Sequence, residues 1–120
     1  MQAPLGPAAT TDLVAAVSAS GALGTLAASW TPPADLREQV KRLRSTSAGP
    51  FCVNLVLAFE QRERLAAVLY EGATVVSFSW GVDAALISTA RDAGAYVLVQ
   101  VAEVDEARSA VAAGGAAAVA

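Results

Sequence analysis

The sequence predicts an α/β fold of the (β/α) barrel type, about five and a half β/α units of an eightfold barrel. Three observations carry this. Short β-branched, apolar runs alternate with helical patterns at a repeat of roughly 21–28 residues, the spacing of parallel strands joined by right-handed crossovers. Glycines close most of the helical patterns just before the next strand. Three successive strands carry small polar groups in the middle or carboxyl-terminal part of one face, near the end where α/β folds place ligands. A doubly wound open sheet is the structural alternative, and the polar residues favour the barrel. A closed barrel needs about 250 residues. At 120 residues, the prediction is a single incomplete barrel domain over residues 1–120.

Gln2-Ala3-Pro4-Leu5 reads as the tail of a strand or a loop, broken by Gly6-Pro7. Thr10, Thr11 and Asp12 offer caps for a helix over Asp12–Ser20, with Leu13, Val14 and Val17 as its apolar stripe. Leu23–Ala28 is the next strand, and Gly24 in it permits close backbone approach. Thr31-Pro32-Pro33 starts a helix over Ala34–Arg44, because a first-turn proline lacks only a donor that would be orphaned there. Leu36, Val40 and Leu43 face inward, and Arg37, Glu38, Lys41 and Arg44 form a solvated face.

Phe51–Leu57, after Gly49-Pro50, is apolar enough to be a strand buried on both faces, yet holds Asn54 at its centre. A buried carboxamide needs partners, since an unpaired one costs about 1–3 kcal/mol. Either the local chain or a ligand supplies them. Helix Glu60–Glu71 follows, with Leu65, Val68 and Leu69 inward and Glu60 and Arg64 spaced to pair. Then come strand Thr74–Ser79, helix Asp83–Ala93, strand Tyr96–Val101, helix Glu103–Ala113 and a last strand from Ala116 to Ala120.

Alternate residues of a strand face opposite ways. Asn54 shares a face with Cys52 and Val56, Ser77 and Ser79 share one with Val75, and Gln100 shares one with Leu98. Asn54, Ser77/Ser79 and Gln100 thus recur at matched depth, with Gln2 a further candidate, and point to a shared pocket. All are neutral donors and acceptors, suited to a neutral heterocycle and unsuited to acid–base chemistry.

Composition narrows the classes. The chain has no histidine, so the usual general base and commonest metal ligand are missing, and no metal site or catalytic residue is assigned. Its one cysteine, Cys52, forms no internal disulfide, suits a cytoplasmic setting and reads as an inert core thiol. Net charge −3 without an extended basic cluster argues against nucleic acid, and no long uncharged apolar stretch suggests a membrane span. Trp30 and Trp80 follow strands, where they could line a pocket mouth or pack under loops.

Gln2-Ala3-Pro4-Leu5 and Leu13–Gly24, followed by Val53-Asn54-Leu55, Val75–Gly81 and Val97–Val101 in the same order, resemble the nitronate monooxygenases over nearly the whole chain. The resemblance implies an FMN-dependent barrel that oxidises alkyl nitronates with O₂. It implies that Ala3, Pro4 and Leu5 lie against the flavin, that Asn54 and Gln100 hydrogen-bond it, and that Ser77 and Ser79 sit near the ring or the substrate. Leu5 stands where the family usually has Met. The family's Gly-Gly-His motif lies past the sixth strand, where this sequence stops, so the expectation is the N-terminal half to two-thirds of such an enzyme. That portion is expected to bind FMN weakly, to turn over little, and to hold Asn54 in an open, wet half-barrel. The related flavin-dependent enoyl-acyl-carrier-protein reductases are the alternative enzyme. A non-catalytic fragment that self-associates through open strand edges is the alternative of another class.

Overall fold

The computed structural model describes residues 1–119. Among them a short 3₁₀ turn, Gly6–Ala8, precedes five helices and five strands in strict alternation. These are α1 (Thr11–Ala19), β1 (Gly24–Ala27), α2 (Pro33–Thr46), β2 (Phe51–Val56), α3 (Arg62–Tyr70), β3 (Val75–Ser79), α4 (Ala84–Asp92), β4 (Tyr96–Gln100), α5 (Val104–Ala112) and β5 (Ala117–Val119). All neighbouring strands pair in parallel, in the order β1-β2-β3-β4-β5.

That order decides between the two architectures. A doubly wound sheet reverses its strand order partway and carries helices on both faces. Here the order never reverses, and each helix packs against the next, α1 on α2 through α4 on α5. The helix-side face of the sheet, Leu26, Phe51, Val53, Leu55, Val76, Phe78, Val97 and Val99, belongs to one core with Leu36, Val40, Leu43, Leu65, Val68 and Ile87. The opposite face turns away from every helix, as the inside of a barrel does. The chain is a partial (β/α)₈ barrel.

Local chemistry sets the element ends. The Thr10 side chain accepts from Leu13 N at 3.2 Å and caps α1, and Asp83 caps α4 by accepting from Ala85 N and Leu86 N at 3.0 Å. Gly24 has no side chain because α1 leaves no room: a methyl there would collide with the Val14 carbonyl oxygen. This close seat also revises the expected stripe of α1. Val14 and Ser18 are buried on β1, while Leu13 is exposed.

Other expectations shift in similar ways. Gln2–Leu5, open between strand tail and loop, is a loop, so the first strand of the predicted alternation is absent among the described residues. Gln2 nevertheless mimics one, its backbone N–H donating to Leu23 O at 2.9 Å. Its carboxamide brackets Thr25, donating to Thr25 O at 3.3 Å and accepting from Thr25 N at 3.4 Å. Part of the outer edge of β1 is therefore occupied. Glu60 and Arg64 do not pair through their side chains. Glu60 accepts from the Arg62 backbone, and Arg64 reaches across to Thr31 O at 2.9 Å. The polar face of α2 is more than a solvated surface, since Arg37 bridges to Glu71 on α3's end and Arg42 to Asp12 on α1. Ala120, the last residue of the expected final strand, lies outside the described residues, and no described helix is long and apolar enough to cross a membrane.

Gly24→Ala is expected to force α1 off β1 and to destabilise the fold by about 1–3 kcal/mol, the usual scale of overpacking, as read from the urea midpoint. Gly21→Ala, at a helix end with open space around it but a φ of 86°, should destabilise through backbone strain alone and by less.

Candidate functional site

Parallel pairing brings the sequence-predicted polar residues together. Asn54 stands opposite Ser77, Ser77 opposite Leu98, and Val56 opposite Ser79, so one face carries Thr25, Cys52, Asn54, Ser77, Ser79, Leu98 and Gln100. This is the face turned away from the helices. Asn54, Ser77 and Ser79 are buried there, and Gln100, one step nearer the carboxyl end, is exposed.

Asn54 finds its partners in the next strand. Its Nδ2 donates to Ser77 Oγ at 2.9 Å, with longer approaches to Ser77 O and Ser79 Oγ at 3.4 Å. Ser79 Oγ in turn lies 3.5 Å from Asn54 Oδ1. The 2.9 Å bond is sound and the others are at the edge of useful geometry. The expected wet Asn54 is thus corrected: it is only 4% exposed, because the next strand supplies hydroxyls and the N-terminal segment lies above it. Oδ1 keeps most of its accepting capacity, since a carboxamide oxygen offers two lone pairs and one long contact uses little of it.

The residues converge on a cavity of about 260 Å³. Asn54, Ser77, Phe78, Leu98 and Gln100 form its floor from β2, β3 and β4, and Met1, Gln2, Ala3 and Pro4 form its roof. Gln2 explains the roof, because its grip on Leu23 and Thr25 ties the segment to β1. Of the proposed site residues, Ala3, Pro4, Asn54, Ser77 and Gln100 line this space. Leu5 does not: it is half-exposed and begins the 3₁₀ turn leading away. Ser79 does not line it either and acts on it only through Asn54. The lining side chains carry no formal charge. They can hydrogen-bond a flat neutral group but cannot move a proton at neutral pH.

The volume lies just under the roughly 300–1,000 Å³ of sites that swallow a whole small ligand. It suits the ring system of a larger molecule. No lysine or arginine lines it to meet a phosphate.

Sequence reasoning missed the clamp behind the site. Val56, the last residue of β2, donates its N–H to Ser29 Oγ at 2.7 Å and its carbonyl accepts from Gln61 Nε2 at 2.9 Å. β1 has already ended at Ala27, so Ser29 replaces the missing strand partner and fixes β2 two residues beyond Asn54. Gln61 is 1% exposed, although glutamine before a helix reads as solvated. No local pattern announces this pairing of two loops.

Trp80, directly after β3, has a φ of 63° and is the one non-glycine residue with positive φ among those described. That conformation costs an L-residue roughly 1–3 kcal/mol. Its indole is 72% exposed, whereas Trp30 packs edge-on against Phe59 at 5.9 Å. Cys52, fully buried behind Asn54, has its thiol pushed up to about 11 by burial, eased slightly by a hydrogen bond with Ser77. It is inert, as expected.

With this geometry in hand, a family model described as "Nitronate monooxygenase" matches residues 1–66, more than half of the 120-residue chain. The chain belongs to the nitronate monooxygenase family. Among solved structures it is similar to FabK from Thermotoga maritima, at 31% identity and TM-score 0.93 over 99% of this chain and 39% of that one. It is similar to nitroalkane oxidase from Streptomyces ansochromogenes, at 28% identity and TM-score 0.88 over 99% of this chain and 44% of that one. A phosphonomutase from Burkholderia cenocepacia, at 18% identity and TM-score 0.63 over 91% of this chain and 64% of that one, shares the fold alone. No curated protein matches. The chain spans about two fifths of the length of the first two structures.

Ser77→Ala is expected to cost about 0.5–1.5 kcal/mol of stability, the worth of one sound hydrogen bond, and Ser79→Ala less, by urea denaturation. The Cys52 thiol should resist a thiol reagent at pH 8 until the chain unfolds. Its raised pKa makes a contribution to stability that is fully present below about pH 9, the ordinary value, and is lost as pH rises toward about 11. A Cys52→Ala variant should show a flatter pH dependence across that window.

Proposed function

We propose that residues 1–120 are one incomplete barrel domain that supplies the flavin-facing floor of an FMN-dependent oxidoreductase. The observation that carries this is the cavity formed by Ala3, Pro4, Asn54, Ser77 and Gln100, assembled from four separate segments at the barrel's inner face. The family membership is consistent with it.

The donor set fits the ring of a flavin and not its phosphate. A flavin's pyrimidine edge alternates carbonyl oxygens and ring nitrogens, which an asparagine and a glutamine can meet as both donors and acceptors. Asn54 Oδ1 keeps accepting capacity beyond its one long contact with Ser79, while its amide is held by Ser77. Gln100 is exposed at the carboxyl end of β4, within reach of the ring or the ribityl chain. Ala3 and Pro4 offer a flat apolar roof. When bound, the flavin would take electrons from an alkyl nitronate and pass them to O₂. This chain's own residues orient the ring and exclude water from one side, and the side chains lining the cavity include no general base. The 120 residues alone therefore bind FMN weakly and turn over little.

A second reading has a specific observation behind it: FabK from Thermotoga maritima matches slightly better than the nitroalkane oxidase, 31% against 28% identity. In that reading the same floor serves an enoyl-acyl-carrier-protein reductase. Oxygen uptake with a nitronate against NAD(P)H consumption with an enoyl thioester, in a protein carrying this chain within a whole barrel, separates the two.

Titrating FMN into the chain and following flavin fluorescence tests the site itself. Asn54→Ala and Gln100→Ala should each weaken binding by about three- to tenfold, one hydrogen bond's worth, with Lys41→Ala on exposed α2 leaving it unchanged. Equal affinity in all four proteins would remove Asn54 and Gln100 from the site.

A further inference from the structure

We infer that Trp80 is a specificity-determining residue whose indole forms a wall for the alkyl portion of the substrate, beside the flavin floor. This rests on the flavin reading above and adds to it the recognition of an apolar substrate tail.

Trp80 is the one non-glycine residue with positive φ among those described, and Gly81 after it also has positive φ, 132°. The backbone is thus held in a conformation that glycine would adopt freely and tryptophan resists. Packing does not account for keeping the larger residue, because Trp80 is 72% exposed. The exposure is not that of a sheet edge. Trp80 follows β3, the middle strand of five, and the units on both sides, β2-α3 and β4-α5, are present.

Its surroundings make it a wall. Trp80, Gly81, Gln100, Val101, Ala102 and Glu106 line a second, open pocket of about 410 Å³ at the carboxyl ends of β3 and β4. Gln100 lines both this cavity and the 260 Å³ one. The two spaces are therefore neighbours on either side of this glutamine, and Trp80 lines the second of them. Glu106 is turned toward the backbone, its carboxylate accepting from Ala102 N at 2.7 Å, and remains the one charged group of the lining. The rest of the lining, apart from Gln100, is one large aromatic side chain with Val101, Ala102 and Gly81. That chemistry receives a hydrocarbon chain attached to the group that reacts at the flavin. Strained residues of this kind gather at ligand clamps, where the ligand repays the conformation.

The chain contains two tryptophans, so Trp30→Phe leaves Trp80 as the sole indole. The probes are linear alkyl carboxylates from acetate to hexanoate, planar anions shaped like nitronates that give no electrons to flavin. They are titrated into the FMN-loaded chain, with flavin absorbance reporting affinity and Trp80 emission reporting contact. In the Trp30→Phe protein affinity should rise about threefold per methylene, as for a chain largely removed from water, and Trp80 emission should change with it. Trp80→Gly should melt no lower than the parent, keep its FMN affinity and lose the dependence on chain length, while Trp80→Phe should retain most of it. An unchanged dependence in Trp80→Gly, or Trp80 emission indifferent to the carboxylates, would overturn the assignment and leave the flavin floor standing. Failure of every variant to bind FMN would overturn the flavin reading and this one together.

Discussion

The parallel register of β2 on β3 is the constraint on which the rest of the site depends. It sets Asn54 opposite Ser77 and so turns a buried carboxamide into half of a satisfied pair. Slipping the pairing by one residue would turn Asn54 toward the helices, beside Val76 and Phe78 with no polar partner, and would turn Val53 and Leu55 out of the core. The apolar face and the polar pair therefore fix the same register. The Val56 clamp from Ser29 and Gln61 holds that register where β1 has stopped providing partners.

This pairing also divides labour within Asn54. Its amide is committed to serine hydroxyls, which orients the side chain, while its oxygen is left with spare accepting capacity. Ser77 is thus a positioning residue as well as part of the floor, and Ser79 a weaker second support. Gln2 plays a comparable part above, since its imitation of a strand edge keeps Ala3 and Pro4 over the floor. A site of neutral groups results, suited to holding a ring whose own chemistry does the work.

Much of this was legible in the sequence, for identifiable reasons. Parallel strands are buried on both faces, so Phe51–Val56 and Val75–Ser79 stand out as apolar runs, and a lone Asn or Ser inside them is conspicuous. Period-two alternation then assigns these polar residues to one face without any structure. The same logic fails where pairing is not periodic. Gln2–Leu5 stayed open between strand tail and loop because it is both in part, a loop in which one residue pairs as a strand would. Ser29 and Gln61 were invisible because their partner is a backbone carbonyl and amide brought near by the crossover of two loops. Leu5 was placed at the site by resemblance alone, and the 3₁₀ turn it begins takes it away. The strain at Trp80 leaves no compositional trace, since the residue that adopts it is the least expected one.

In the proposed site Asn54, oriented by Ser77, faces the flavin. Side-chain amide resonances in a ¹H–¹⁵N correlation spectrum of the chain test it most directly. On addition of FMN the NH₂ signals of Asn54 and Gln100 should shift together along one saturating curve, while that of Gln61, buried in the clamp behind the site, stays in place. Movement of the Gln61 signal with Asn54 and Gln100 unmoved, or no movement of any of the three, would contradict it.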